Sequence, residues 1–208
     1  MKKILLLLPL AICLWASTAA AQVAIHAGYS PEKWVTAPTD NPDNTSALGF
    51  NSYFAGVDFR AKIVGEFAVT LGLQGRWSVE SGTDDSRFQF DTNHRTNLVA
   101  AEIPLLLNYK FKIGDNFGIT PFVGPKFTYY IKGRTRDSSG HPIYEWFDDE
   151  DQAKRMKRFG VSGTAGLGIN IYAFHIYGGF TLGLTDMDNL ETQTTIHGGA
   201  FAGLMFGF

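Results

Sequence analysis

Seven charged side chains recur at one parity inside stretches that alternate between apolar and polar residues: Asp58, Arg60, Arg76, Glu80, Glu102, Lys110 and Lys126. Acids and bases gathered this way on neighbouring segments can do one of two things. They can line a pore and select ions by charge, or they can pair with one another and fill a narrow interior. Phe54, Leu106, Phe122 and Tyr130 share their parity. Such residues occupy volume, which favours the filled interior over the open pore.

Other chemistries find less support. The five histidines are His26, His94, His141, His175 and His197, and no pair has close metal-ligand spacing. A lipid-modifying hydrolase needs a Ser/His or comparable constellation. Ser78, Ser81, Ser138, Ser139, His94 and His141 fall near one end of the alternating stretches, yet no local signature links them. No phosphate-cradling glycine loop is present. No catalytic residue, cofactor or metal is therefore expected.

The segment between residues 132 and 158 is the most informative polar stretch. Tyr144, Trp146 and Phe147 precede Asp148-Asp149-Glu150-Asp151, and Lys154-Arg155-Met156-Lys157-Arg158 follow. Aromatic anchors beside charge blocks, with Tyr144, Trp146, Phe147, Lys154 and Arg155 as contacts, make a candidate surface for a protein partner. The alternative is a solvated acidic and basic pair with the aromatics packed against the body of the protein. Blocks of this kind also suit lipopolysaccharide phosphates and their bridging cations.

The elements that must position these residues are strands. From Phe67 to Glu80, the residues Phe67, Val69, Leu71, Leu73, Gly75, Trp77 and Val79 share one face, and Thr70, Gln74, Arg76 and Ser78 share the other. A helix would scatter them. Seven more segments alternate similarly, at about 23–29, 50–60, 97–111, 117–131, 159–171, 175–185 and 194–208. Long polar connections at about 30–49, 81–96, 132–158 and 186–193 alternate with short ones near 61–66, 112–116 and 172–174. An even strand count with long loops on one side and tight turns on the other is the pattern of an all-β, eight-stranded antiparallel up-and-down transmembrane barrel.

Charge placement decides which face points outward. From Phe159 to Phe208 the only Asp, Glu, Lys or Arg residues are Asp186, Asp188 and Glu191. A soluble barrel would have to present three uncharged strands to water, whereas a lipid-facing surface requires them. Aromatics on the outward parity gather at both strand ends. Phe59, Phe67, Tyr109, Phe111, Phe117, Phe206 and Phe208 lie near the short turns, and Tyr29, Tyr53, Trp77 and Tyr129 near the long loops. Pro104 resists this scheme, because a proline inside a strand cannot donate to the ladder.

The first 21 residues read as a secretory signal. Lys2 and Lys3 precede an apolar run from Ile4 to Trp15, and Ala19-Ala20-Ala21 fits a cleavage site that leaves Gln22 first. The sole cysteine, Cys13, falls in the apolar run, so residues 22–208 form the expected barrel without thiol chemistry. The full chain has a formal charge of −2. That balance gives no Lys/Arg surplus to neutralise nucleic-acid phosphates.

The stretch Ala101-Glu102-Ile103-Pro104-Leu105-Leu106-Leu107-Asn108-Tyr109-Lys110-Phe111 resembles a strand of the porin-family outer-membrane β-barrel domain proteins. That group includes PorT-like proteins and is common in Bacteroidetes-type bacteria. Pro121-Phe122-Val123-Gly124-Pro125-Lys126 and the run from Tyr177 to Thr185 are similar to two further strands of the group. The resemblance implies an outer-membrane barrel surrounded by lipid and lipopolysaccharide. It also implies that Phe206 and Phe208 belong to the signal read by the barrel-assembly machinery. It implies no reaction, so the expected role is non-enzymatic: structural, adhesive or envelope-interacting. A narrow transport or small-ligand barrel is the alternative.

Overall fold

Strict alternation gives each strand one face for lipid and one for an interior, and only a sheet closed on itself leaves no unpaired edge in hydrocarbon. The chain meets this requirement in a computed structural model that describes residues 22–40, 45–84, 95–114, 116–137, 139–147, 156–189 and 192–207. The strands are β1 (Gln22–Pro38), β2 (Ser46–Val64), β3 (Phe67–Asp84), β4 (Arg95–Tyr109), β5 (Phe111–Lys112), β6 (Phe117–Arg136), β7 (Pro142–Glu145), β8 (Phe159–Ile171), β9 (Phe174–Gly183) and β10 (Gln193–Gly207). Eight of them form the ring β1-β2-β3-β4-β6-β8-β9-β10 through antiparallel neighbours, and β10 pairs with β1 to close it. Closure aligns Ile25 with Phe206 and Ala27 with Leu204. The two-residue β5 continues β4 along β6, and β7 folds back onto the far end of β6.

The exterior is apolar. Ile25, Leu73, Val123, Leu167, Phe180, Leu182 and Leu204 are exposed on it. Tyr29, Tyr53 and Trp77 occupy one register row of β1, β2 and β3 with adjacent rings 5.4 and 6.2 Å apart. Near the opposite end, Phe67, Tyr109 and Phe111 pack in sequence at 4.6 Å per step. These are the two aromatic belts, set at the heights of the two membrane interfaces.

The short connections are tight. β2 turns into β3 at Gly65 and Glu66, where Gly65 has φ +57°, a left-handed conformation that costs glycine nothing. Lys112 donates to Glu66 at 2.7 Å beside this turn and holds its carboxyl below the usual carboxylate range.

Several strands outrun their sequence signal. Residues 30–38 extend β1, 46–49 begin β2 and 132–136 extend β6, where the sequence suggests loops. The ladder continues past the aromatic belt into water, and there the outward positions no longer need to be apolar. Pro31 and Lys33 are exposed while Ser30, Glu32, Trp34 and Thr36 stay buried. Pro104 is accommodated by its neighbour: a Cβ on Gly72 would lie 2.6 Å from the Pro104 ring, so that ring occupies space Gly72 leaves empty.

Candidate functional site

The interior parity of four strands brings four ions together. Glu32 comes from β1, Arg76 from β3, Glu102 from β4 and Lys126 from β6, and all four are buried. Arg76 Nη1 donates to Glu32 at 2.5 Å, and its Nε lies 3.3 Å from Glu102 Oε1. Lys126 Nζ lies 3.2 Å from the same Glu102 oxygen. Gln74 donates to the other Glu102 oxygen at 2.5 Å, and Thr128 donates to Oε1 at 3.2 Å. Arg76 also donates to Tyr130 Oη at 2.8 Å, with its guanidinium 5.5 Å from that ring's centre. Two acids against two bases make the group neutral as a whole, and each charge has a partner, which is what buried ions require.

An aromatic lid closes the lumen above this network, on the long-loop side. Trp34, Phe50, Leu98, Tyr130, Trp146, Phe147, Met156 and Met187 form one buried cluster. The Trp34 ring stacks on His197 at 5.4 Å and meets Trp146 edge-on at 5.8 Å. Trp146 Nε1 donates to Thr135 Oγ1 at 3.0 Å, and its backbone N–H reaches Gly133 at 3.0 Å. Gly133 leaves room for this fold-back, since a Cβ there would lie 2.6 Å from the Phe147 ring.

This geometry corrects the reading of Trp146 and Phe147 as partner anchors. They are 1% and 2% exposed, because β7 turns their segment inward over the barrel mouth. A partner therefore cannot meet these two rings. Tyr144 packs against the same cluster and is half-buried. Lys154 and Arg155, with the acidic run before them, lie outside the described residues, as do Phe208 and residues 1–21. Phe206 sits on β10 with its ring 5.1 Å from Phe174.

The seven charges do not form a single network. Arg76, Glu102 and Lys126 join the central group. Glu80 accepts from the Thr96 backbone N–H at 2.9 Å, nearer the long loops. Asp58 pairs with His26 Nδ1 at 3.0 Å, and His26 Nε2 meets Gln74 Oε1 at 3.0 Å. Arg60 and Lys110 lie at the short-turn end and line a cavity of about 210 Å³. Sequence reasoning misses Glu32, which it places in a loop, although continuing the inward parity of His26, Gly28 and Ser30 would reach it. Gln74 and Tyr130 carry the right parity, but their hydrogen bonds have no sequence signature.

Among the described residues one Ser/His pair is in contact, at Ser162 Oγ and His197 Nε2, 3.2 Å apart. His197 Nδ1 has no hydrogen-bond partner among the described residues, so none of the described acids orients the ring, and Trp34 stacks on it. Among the described residues, no three His, Cys, Asp or Glu side chains converge to hold a metal.

Residues 20–189 match the outer membrane protein β-barrel domain family. The chain belongs to that family. Membership places the barrel in the bacterial outer membrane, with the short turns toward the periplasm. No curated protein matches the sequence. Among solved structures, the chain is similar to Ail, the attachment invasion locus protein of Yersinia pestis, in complex with the heparin analogue sucrose octasulfate. That likeness has 12% identity, covers 90% of this chain and 99% of Ail, and has a TM-score of 0.43. Neisserial surface protein A is similar at 11% identity, over 89% of this chain and 97% of that one, with a TM-score of 0.46.

Proposed function

We propose that this family member is a non-conducting, non-enzymatic outer-membrane barrel that acts through its outer surface in an envelope-interaction role. The observation that carries this reading is the seal: the Glu32–Arg76–Glu102–Lys126 network beneath the aromatic lid blocks the lumen. A solute path would have to break buried ion pairs and displace several packed rings. The Ser162–His197 pair, covered by Trp34 and oriented by no acid among the described residues, supports a role without catalysis.

With the lumen blocked, interaction falls to the exterior. Register rows of β4 and β6 place Arg95 beside Arg136, Asn97 beside Arg134 and Val99 beside Lys132. Arg95, Lys132 and Arg136 are exposed, just beyond outward Tyr129 and on the long-loop side. That is the height of lipopolysaccharide phosphates in the outer leaflet, and guanidinium groups suit phosphate oxygens. Residues 1–21 act as the export signal on this reading, and Phe206 and Phe208 engage the assembly machinery. The Ala101–Phe111 stretch supports a place among the porin-family, PorT-like members.

Native mass spectrometry of detergent-purified protein tests the surface role. Wild type should retain lipopolysaccharide, and the triple variant Arg95→Ala, Lys132→Ala, Arg136→Ala should retain several-fold less. Equal retention by the two proteins would refute this assignment of the basic face.

A further inference from the structure

The lumen is closed above but not filled below. The 210 Å³ cavity runs from the central ion network down to the periplasmic turns, where Gln22, Arg60, Lys110, Asn170, Tyr172 and His175 line it. Its middle is apolar. Phe122, Tyr177 and Phe201 surround it at mutual ring distances of 6.1 to 6.5 Å, and Phe54 and Leu106 complete the wall. Its mouth is basic. Among the described residues neither the Arg60 nor the Lys110 side chain forms an ion pair or a hydrogen bond; their charges act on each other and on His175, and the carboxylate that acts on both, Glu66, is held on the turn by Lys112.

The mouth also carries an amide donor. Buried Asn170 donates from Nδ2 to Thr120 at 2.6 Å, and the same nitrogen has a second N–H to offer an anion. A Cβ built on Gly118 would lie 3.3 Å from Lys110 Cε and 3.5 Å from Asn170 Nδ2. The two side chains therefore end within reach of one small head group. The glycine opposite them keeps the space clear. The nearby carboxylates are engaged elsewhere, Glu66 by Lys112 and Asp58 by His26, so Arg60 and Lys110 still repel one another, and a bound anion would relieve that repulsion.

We propose that the periplasmic half of the lumen is a binding pocket for a small amphipathic anion. Its charged head sits between Arg60 and Lys110, and its apolar body lies against Phe54, Leu106, Phe122 and Phe201. The pocket is a dead end, so it binds without conducting, and it stands or falls independently of the basic outer face.

The test uses wild-type protein in lipid nanodiscs, octanoate as the probe, and mass spectrometry of lysine acylation as the readout. Octanoate should slow acylation of Lys110 saturably, roughly tenfold at about ten times its dissociation constant. Lys62, exposed near a periplasmic turn, should be unaffected. Acetate, which lacks the apolar body, and octanol, which lacks the charge, should protect Lys110 far less. Arg60→Gln should weaken octanoate binding by about tenfold or more, because it removes a charged hydrogen-bond donor. Leu106→Trp should abolish binding by filling the apolar space while keeping both cations.

Protection of Lys110 no greater than that of Lys62 would overturn the proposal. So would acetate or octanol protecting as well as octanoate. These arms use only wild-type protein, so the proposal is decided even where a variant fails to fold.

Discussion

Arg76 on β3 and Glu32 on β1 are separated in the sheet by the whole of β2, yet their side chains meet at 2.5 Å. Strands two apart in a sheet are far too distant for their backbones to bond. The curvature of the small barrel brings inward side chains from both strands together, and the contact ties the first strand to the third through the lumen. Glu102 and Lys126 extend the same tie to β4 and β6.

Removing the shared acid should be costly. Glu102→Ala leaves Arg76 and Lys126 facing each other without the carboxylate that both contact. Breaking a buried ion pair at one partner costs about 3–5 kcal/mol. Urea unfolding of the variant in lipid vesicles should show a loss of that order. A midpoint within error of wild type would mean that Glu102 does not hold the two cations.

Trp146 should behave as a core residue despite its place in a long connection. Trp146→Ala removes the centre of the lid and a hydrogen bond to Thr135, a loss of about 3–5 kcal/mol locally. Trypsin cleavage at Lys157 and Arg158 should accelerate, because the side chain that anchors the segment to Thr135 and Trp34 is gone. Ile143→Ala, which truncates an exposed side chain on β7, serves as the control and should leave cleavage unchanged. Equal cleavage of all three proteins would place the lid elsewhere.

The strand ring was legible in the sequence because lipid enforces alternation. Each outward position between the belts must be apolar, so Phe67 through Trp77 announce both a strand and its lipid face. That constraint ends at the aromatic belt. Beyond Tyr29 the outward residues are Pro31 and Lys33, the alternation fades, and Glu32 reads as loop although it continues the inward row. The inward parity of Arg76, Glu102 and Lys126 was visible, but their partners depend on strand stagger, which alternation does not encode. Trp146 misled for a different reason. An aromatic in a polar connection looks like a surface anchor until β7 is known to fold it over the mouth.

Leu73 lies on β3 between Phe67 in one belt and Trp77 in the other, facing outward. Leu73→Arg should destabilise the barrel by about 2–4 kcal/mol, the cost of a cation near the bilayer midplane. Unfolding in vesicles measures it, and Ser81→Arg, at an exposed position beyond the belt, should cost almost nothing. Similar losses at both positions would contradict the lipid-facing assignment.

Gly72 tests the accommodation of Pro104. A Cβ there would lie 2.6 Å from both Asp58 Oδ1 and Pro104 Cγ. Gly72→Val should therefore cost about 1–3 kcal/mol through overpacking. Combining it with Pro104→Ala should recover part of the loss, since the ring that clashes is gone. A double variant as unstable as the sum of the two singles would show that the two positions do not share that space.

Planar-bilayer recording of the full-length folded protein tests the seal most directly. With the ion network and the aromatic lid both in place, insertion should produce no steady current above the bare-membrane baseline at either polarity. Stable, stepwise conductance from the wild-type protein would contradict the sealed lumen and make the barrel a channel.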